Sequence, residues 1–283
     1  MQKKIPTITQ GHIAAYLDAQ REQERAQATL QKYSRDLKSF LSYAGEGRLD
    51  KTVLIGWKEA LIQTHAPASV NAMLAAVNGY LHHFGWDSLR VKPLKIQRAL
   101  FLEESRELTR REYARLVAAA QQKENERLAL VMQTICATGI RVSELKFITV
   151  EAVQRGRAEI RNKGKLRLVF LPGKLRRLLK QYAQRQKKTA GAVFTTQTGR
   201  PLDRSNIWRD MKALCESAGV AREKVFPHNL RHLFARTFYA AEKDLSRLAD
   251  ILGHSSVSTT RIYTAECGAV HAAQMERLNL VIT

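Results

Sequence analysis

Cysteine is scarce in this chain. The three present, Cys136, Cys215 and Cys267, are odd in number and far apart, which suits neither a disulfide framework nor a zinc cluster. All three are expected to be reduced and buried or half-buried. Long apolar runs are also missing. The stretch from Leu128 to Ile135 is interrupted by Gln133 and falls far short of the roughly 20 residues a membrane-spanning helix needs. The opening Met1-Gln2-Lys3-Lys4-Ile5-Pro6 lacks the apolar core of a signal peptide, so a cytoplasmic location with no membrane partner is expected. Neither Gly-x-Gly-x-x-Gly nor Gly-x-x-x-x-Gly-Lys-Ser/Thr occurs, which removes the usual nucleotide-cofactor sites, and no Ser-centred nucleophile elbow is present. No cofactor is expected. The last shortage is of acid: 26 Asp+Glu stand against 47 Lys+Arg, leaving a formal charge of +21. Such an excess calls for a polyanionic partner. Without a basic amphipathic helix or a lipidation signal, that partner is nucleic acid rather than a membrane face.

What is present is mostly helical patterning. With 283 residues, 45% of them hydrophobic, the chain can fill two domains or one large one. Tyr33, Leu37, Phe40, Leu41 and Ala44 form one apolar stripe, and Val70, Met73, Val77, Leu81 and Phe84 another; both have the period of amphipathic helices in a small bundle. Gly45 and Gly47 end the first, and Pro67-Ala68-Ser69 precedes the second. The periodicity lapses between Arg90 and Glu107, which divides the chain into a helical domain over 1–90, a linker over 91–106 and a second domain over 107–283.

The second domain opens on Thr109-Arg110-Arg111-Glu112, a capping box ahead of Leu116 and Val117. A helix over Leu128 to Ala137 stops at Gly139, placing Arg141 in a tight turn before a helix started by Ser143 and Glu144. Alternation from Ala158 to Leu171, with Ala158 and Ile160 on the apolar side of one strand and Leu166, Leu168 and Phe170 on that of the other, reads as a β-hairpin around Lys163-Gly164-Lys165. Asp203 or Ser205 caps a helix running to Ala218; Phe226 to His232 begins another, and Leu245, Leu248, Ala249 and Leu252 mark a third. The fold class expected is mainly α with a small β-sheet.

From Glu151 to Lys188 there are thirteen basic residues and two acidic ones, more of one sign than solubility requires. Phosphate contact accounts for them better than a solvated face. His228 and His232 have the spacing of a zinc-protease helix, but Asn229 stands where that motif needs glutamate, so a metal site is not expected. Arg141, Lys163, His228, Arg231, His254 and Tyr263 remain. Each alone has a dull explanation, a surface arginine or a packed tyrosine. Together they suit displacement at a phosphodiester. Guanidinium groups match the nonbridging oxygens, a phenol of pKa about 10 gains nucleophilicity where cations and a base surround it, and a lysine can protonate the departing sugar oxygen.

These residues lie in segments that resemble the tyrosine recombinases, or phage-type integrases, in particular their short Xer-like members. "ATGIRVSEL", Ala137 to Leu145, resembles the first arginine motif. "PHNLRH", Pro227 to His232, resembles the His-x-x-Arg box, and "LGHSSVSTTRIYT", Leu252 to Thr264, the nucleophile motif. Thr29 to Phe40 and Val70 to Gly85 are similar to the helical core-binding segment. The resemblance implies a helical core-binding domain followed by a mixed α/β catalytic domain. By it, Arg141 and Arg231 are the phosphate clamp, Lys163 the general acid with Lys165 as its alternative, His228 a donor or base, His254 a donor and Tyr263 the nucleophile. It further implies a 3′-phosphotyrosyl intermediate without ATP or metal, double-stranded DNA with paired core sites as partner, and a homotetramer on DNA. The apolar tail Val270 to Leu280 would dock on a neighbour, and accessory DNA-binding proteins are further candidate partners.

Three readings separate by experiment. A recombinase, serving integration or excision, resolution of a mobile element, or Xer-type chromosome-dimer resolution, forms covalent protein–DNA. A non-catalytic DNA-binding regulator does not. A type IB topoisomerase shares the chemistry but relaxes supercoils without paired sites.

Overall fold

The computed structural model describes residues 5–96, 106–162, 165–196, 198–254, 256–260, 263 and 276–277. The chain divides into two compact units, Met1–Arg98 and Ala99–Thr283.

The first unit is four helices. α1 (Gln10–Glu22) is capped by Thr9, whose hydroxyl accepts from the His12 amide. α2 (Gln27–Ala44) stops at Gly45, and Asp50 caps α3 (Lys51–Thr64); α4 (Pro67–His83) opens on Pro67, whose missing N–H costs nothing at that position. Leu37, Phe40, Leu54, Trp57, Val70, Leu74, Val77 and Leu81 form the core, so both expected stripes face inward. Inside it, the Tyr80 hydroxyl donates to the Thr7 carbonyl at 2.8 Å. The following segment lies along α4 as an extended strap. The Asn78 amide exchanges hydrogen bonds with the backbone of Val91 (2.8 and 3.0 Å), and Asn71 does the same with Leu94 (2.9 and 2.7 Å).

The second unit is built around α6 (Glu126–Thr138), which is buried on nearly every face by α5 (Arg110–Gln122), α8 (Gly173–Arg185), α9 (Arg204–Lys212) and α11 (Pro227–Glu242). The capping box at α5 is present on both sides, Thr109 accepting from the Glu112 amide and Glu112 from the Thr109 amide. α6 ends on Gly139 in the left-handed conformation (φ +67°). A 3-10 turn over Val142–Phe147 and the short α7 (Val150–Arg155) lead to β1 (Arg157–Asn162) and β2 (Lys165–Phe170), an antiparallel pair. The small helices α10 (Cys215–Ala218), α12 (Leu245–Leu252) and α13 (Val257–Thr260) complete the unit.

Three expectations need correction. The hairpin exists, but its strands do not share the apolar face read from the sequence. The register pairs Ile160 with Arg167 and Ala158 with Val169, so an even-numbered residue on β1 always shares a face with an odd-numbered one on β2. Ala158, Ile160 and Val169 are buried, whereas Leu166, Leu168 and Phe170 point outward, Phe170 being 70% exposed. The helix expected to run to Ala218 breaks after Lys212 and resumes at Cys215. Ile207, Met211, Leu214, Cys215 and Ala218 still bury one continuous stripe, and the Arg115 guanidinium donates to the carbonyls of Ala218 and Gly219, both at 2.8 Å. In the Arg141 turn, the helix expected from Ser143 and Glu144 is a 3-10 turn that begins at Val142, with Arg141 as its N-cap and Glu144 third. Cys136 is half-buried and Cys215 buried, both free thiols; Cys267 lies outside the described residues. Among the described residues no helix is long and apolar enough to cross a membrane.

Candidate active site

Three helix boundaries deliver the site. Gly139 ends α6 and hands the backbone to Arg141, which caps the 3-10 turn in extended conformation. Pro227 starts α11, so His228 and Arg231 fall in its first turns. Gly253, also left-handed (φ +64°), ends α12 directly before His254.

Arg231 is the centre, only 1% exposed. One terminal nitrogen donates to the Gly139 carbonyl at 2.6 Å; the other donates to the Leu252 carbonyl at 2.8 Å and lies 2.9 Å from His254 Nε2. Its side chain thus ties together the ends of α6 and α12, the two places where glycine turns the chain. Burial, then the charge of Arg141, pushes its pKa down to about 10, and it remains a cation at neutral pH.

A guanidinium only donates, so His254 Nε2 meets it with a lone pair and the imidazole proton resides on Nδ1, 2.8 Å from the Thr260 hydroxyl. Burial and then the charges of Arg231, Arg141 and Arg167 hold the His254 pKa at about 4. His228 is likewise lowered to about 4 by burial, then by His232, Arg231, Arg141 and Arg204. Both are neutral at pH 7 in the free protein.

Tyr263 is 5% exposed. Its ring lies nearly parallel to that of His254 (6.4 Å between centroids, 15°). Burial raises the phenol pKa, while the nearby Arg231 and then Arg141 pull against it. Arg141 is a third exposed and bonds Glu144 twice, through its amide at 2.8 Å and through Nη1 at 3.1 Å. A cleft of about 610 Å³ opens on Arg141, His228 and Arg231, and Arg204, Trp208 and Phe226 also line it.

Arg141, His228, Arg231, His254 and Tyr263 therefore meet in one place although the chain separates the first from the last by more than a hundred residues. Lys163 and the alternative Lys165 are not placed: Lys163 lies outside the described residues, and for Lys165 only the backbone is described, pairing with Asn162 at the start of β2. Of the tail over 270–280, Glu276 and Arg277 alone are described.

Sequence reasoning missed four neighbours. Glu144 is buried and receives Arg167 in a two-point ion pair as well as Arg141. His232, considered only as a metal ligand, has its ring against Tyr263. Arg204 and Trp208, from α9, line the cleft. The spacing of Arg141 and Glu144 as N-cap and third helical residue was a readable signal; the other three contacts join distant parts of the chain and leave none.

Residues 106–267 match the phage integrase family, and residues 13–85 match its N-terminal SAM-like domain. The chain belongs to the phage integrase family. It is 28% identical to tyrosine recombinase XerD of Vibrio cholerae, over 90% of this chain and 91% of that one. With XerD of Caulobacter vibrioides the identity is 31%, over 87% and 88%; with XerA of Pyrococcus furiosus it is 27%, over 95% and 93%. Among solved structures, a lambda integrase dimer bound to a COC′ core site superposes with a TM-score of 0.73 at 16% identity, covering 91% of this chain and 77% of that one. XerH bound to difH in a pre-cleavage complex gives 0.69 at 22%, covering 87% and 78%. At these identities the structural likeness establishes the shared fold, two domains that are mainly α with a small sheet. The enzyme class is that of the tyrosine recombinases, and the function is site-specific DNA recombination.

Proposed function

We propose that Tyr263 is the nucleophile of this recombinase and attacks a DNA phosphate held between Arg141 and Arg231. The phenolic oxygen forms the new bond to phosphorus, the 5′ sugar oxygen leaves and takes a proton from Lys163, and the strand is held as a 3′-phosphotyrosine. Attack by a 5′-hydroxyl of the partner duplex reverses the chemistry, so bond energy is kept without ATP. The observation that carries this reading is the buried Tyr263 ring set beside His254 and under the charge of Arg231, in a cluster with Arg141 and His228.

Positive charge serves the reaction twice. It lowers the cost of a phenolate in a buried site and meets the charge that develops on the nonbridging oxygens. His254 and His228 can donate to those oxygens once an entering phosphate favours their protonation, and either can take the phenol proton while neutral. Residues 1–90 serve as the core-binding domain on double-stranded DNA, 91–106 as the connection, and 107–283 as the catalytic domain. Four protomers acting on two paired core sites, joined through the 270–280 tail, complete the reading, with accessory DNA-binding proteins as further partners in a cytoplasmic setting.

A nicked substrate whose short cleaved strand diffuses away tests the reading. Wild-type protein retains labelled DNA on a filter after denaturation, and Tyr263→Phe binds the same DNA natively but retains none. Adducts formed by Tyr263→Phe would sink the assignment, and their absence from wild type on its own site would leave a DNA-binding regulator.

The role proposed first is integration, excision or resolution of a mobile element. A second, Xer-type chromosome-dimer resolution, is favoured by relatives named XerD and XerA that match along nearly their whole length. Mapping covalent attachment across the source genome separates them: element ends support the first, a single chromosomal site the second.

A further inference from the structure

Behind the nucleophile lies a group that phosphate chemistry does not require. His228, His232 and Arg236 succeed one another at helical spacing along one face of α11. The His232 ring meets Tyr263 edge to face, 5.2 Å between centroids at 88°, and meets His228 on its other side at 4.7 Å and 61°. Its Nδ1 faces Glu107 Oε1 at 4.0 Å, beyond hydrogen-bond length, and burial and then the Arg231 charge lower the His232 pKa, so a neutral ring faces the carboxylate. Glu107 is itself held by an ion pair to Arg236, whose second terminal nitrogen donates to the Leu108 carbonyl at 2.9 Å. The side chains of His232, Glu107, Arg236 and Tyr263 are mostly buried, with Tyr263 the most enclosed.

We infer that His232 is a positioning residue for the reaction: its ring, braced by Glu107 and Arg236, is the wall against which the Tyr263 ring is set. Arg231 acts on Tyr263 through its charge and His254 lies along one ring face, and neither fixes rotation of the ring within its plane or translation along that face. An edge contact at right angles removes that remaining freedom. A wall made of a free histidine would rotate about its own side-chain bonds; a carboxylate facing Nδ1 and itself held by Arg236 favours the orientation that turns Nδ1–H toward it. His232 does not line the cleft of Arg141, His228 and Arg231 and contacts Tyr263, so it acts through Tyr263.

This inference rests on Tyr263 being the nucleophile. At saturating nicked DNA, His232→Leu, which keeps the volume but loses the ring edge, should slow covalent adduct formation about 10- to 100-fold, the penalty of a misplaced reacting group, with the DNA dissociation constant within about twofold of wild type. His232→Phe, which restores the edge, should recover to within a few-fold of wild type, and Glu107→Gln should lose a few-fold. A substrate with sulfur at the 5′-bridging position, a leaving group that needs no proton, should leave the His232→Leu defect unchanged. A wild-type rate in His232→Leu, a His232→Phe as slow as His232→Leu, or repair by the sulfur substrate would each overturn the inference. Should His232→Leu not fold, an undiminished rate in Glu107→Gln overturns it. The underlying assignment fails separately, by an adduct that maps away from Tyr263 in the wild-type protein.

Discussion

Arg167 and Glu144 form a two-point ion pair, Nη1 to Oε1 at 3.1 Å and Nη2 to Oε2 at 2.7 Å, on the inner side of the hairpin. Arg167 is drawn inward because the strand register puts it on the buried face beside Ile160. Glu144 also carries Arg141, so one buried carboxylate sets the geometry of a cleft arginine and fastens β2 to the turn that presents it.

Replacing Glu144 by Gln leaves Arg167 buried without its countercharge and should cost on the order of 3–5 kcal/mol of stability, as breaking a buried pair does. Burial raises the Glu144 pKa, but the Arg141 amide and the Arg167 and Arg141 charges outweigh it and hold the group below its ordinary 4.5. Its contribution is therefore present above that value and lost as pH falls through the lower folded one. Thermal melts from pH 7 down to about pH 3, wild type against Glu144→Gln, should converge at the acid end. A constant gap across the range contradicts the assignment.

The histidines give a pH dependence of the same sign at milder acidity. His228 and His254 have folded pKa values of about 4 against an ordinary 6.5. The unfolded chain takes up these protons first, so their effect on stability is absent above 6.5 and grows unfavourable as pH falls from 6.5 toward 4. The fall in Tm over that window should be shallower in His228→Gln and in His254→Gln. A bound phosphate raises both pKa values, so DNA binding near pH 6 should take up protons, detected by calorimetry in buffers of different ionisation heat. Proton release on binding would contradict this.

Gly139 combines a left-handed backbone with crowding: a Cβ there would lie 2.5 Å from Phe234 Cδ1, and its carbonyl is the acceptor for Arg231. Gly139→Ala should destabilise the protein by about 1–3 kcal/mol and slow cleavage more than it weakens DNA binding, because the shift falls on Arg231. Equal losses in both, read from adduct rate and binding isotherm, would show that the turn supports the fold alone.

The parts of the site legible in the sequence were those confined to short windows. Gly139 before Arg141, Pro227 before His228 and Arg231, and Gly253 before His254 each join a chain-turning residue to a polar one within four positions. The helical stripes through Leu37 and Val77 were legible for the same reason, since a period of 3.6 is a local property. The hairpin faces were not: which of Arg167 or Leu168 points inward is set by the count of residues between paired positions and by the carboxylate of Glu144 on another element. The contact of His232 with Tyr263 joins α11 to a segment beyond α12, and nothing in either stretch announces the other.

The most direct test is to identify the side chain that carries DNA. Protein trapped on its own nicked site, digested with nuclease and protease and sequenced by mass spectrometry, should yield a single peptide bearing a nucleotide 3′-phosphate on Tyr263. The same modification on any other residue, or a 5′-phosphate on this one, would contradict the account.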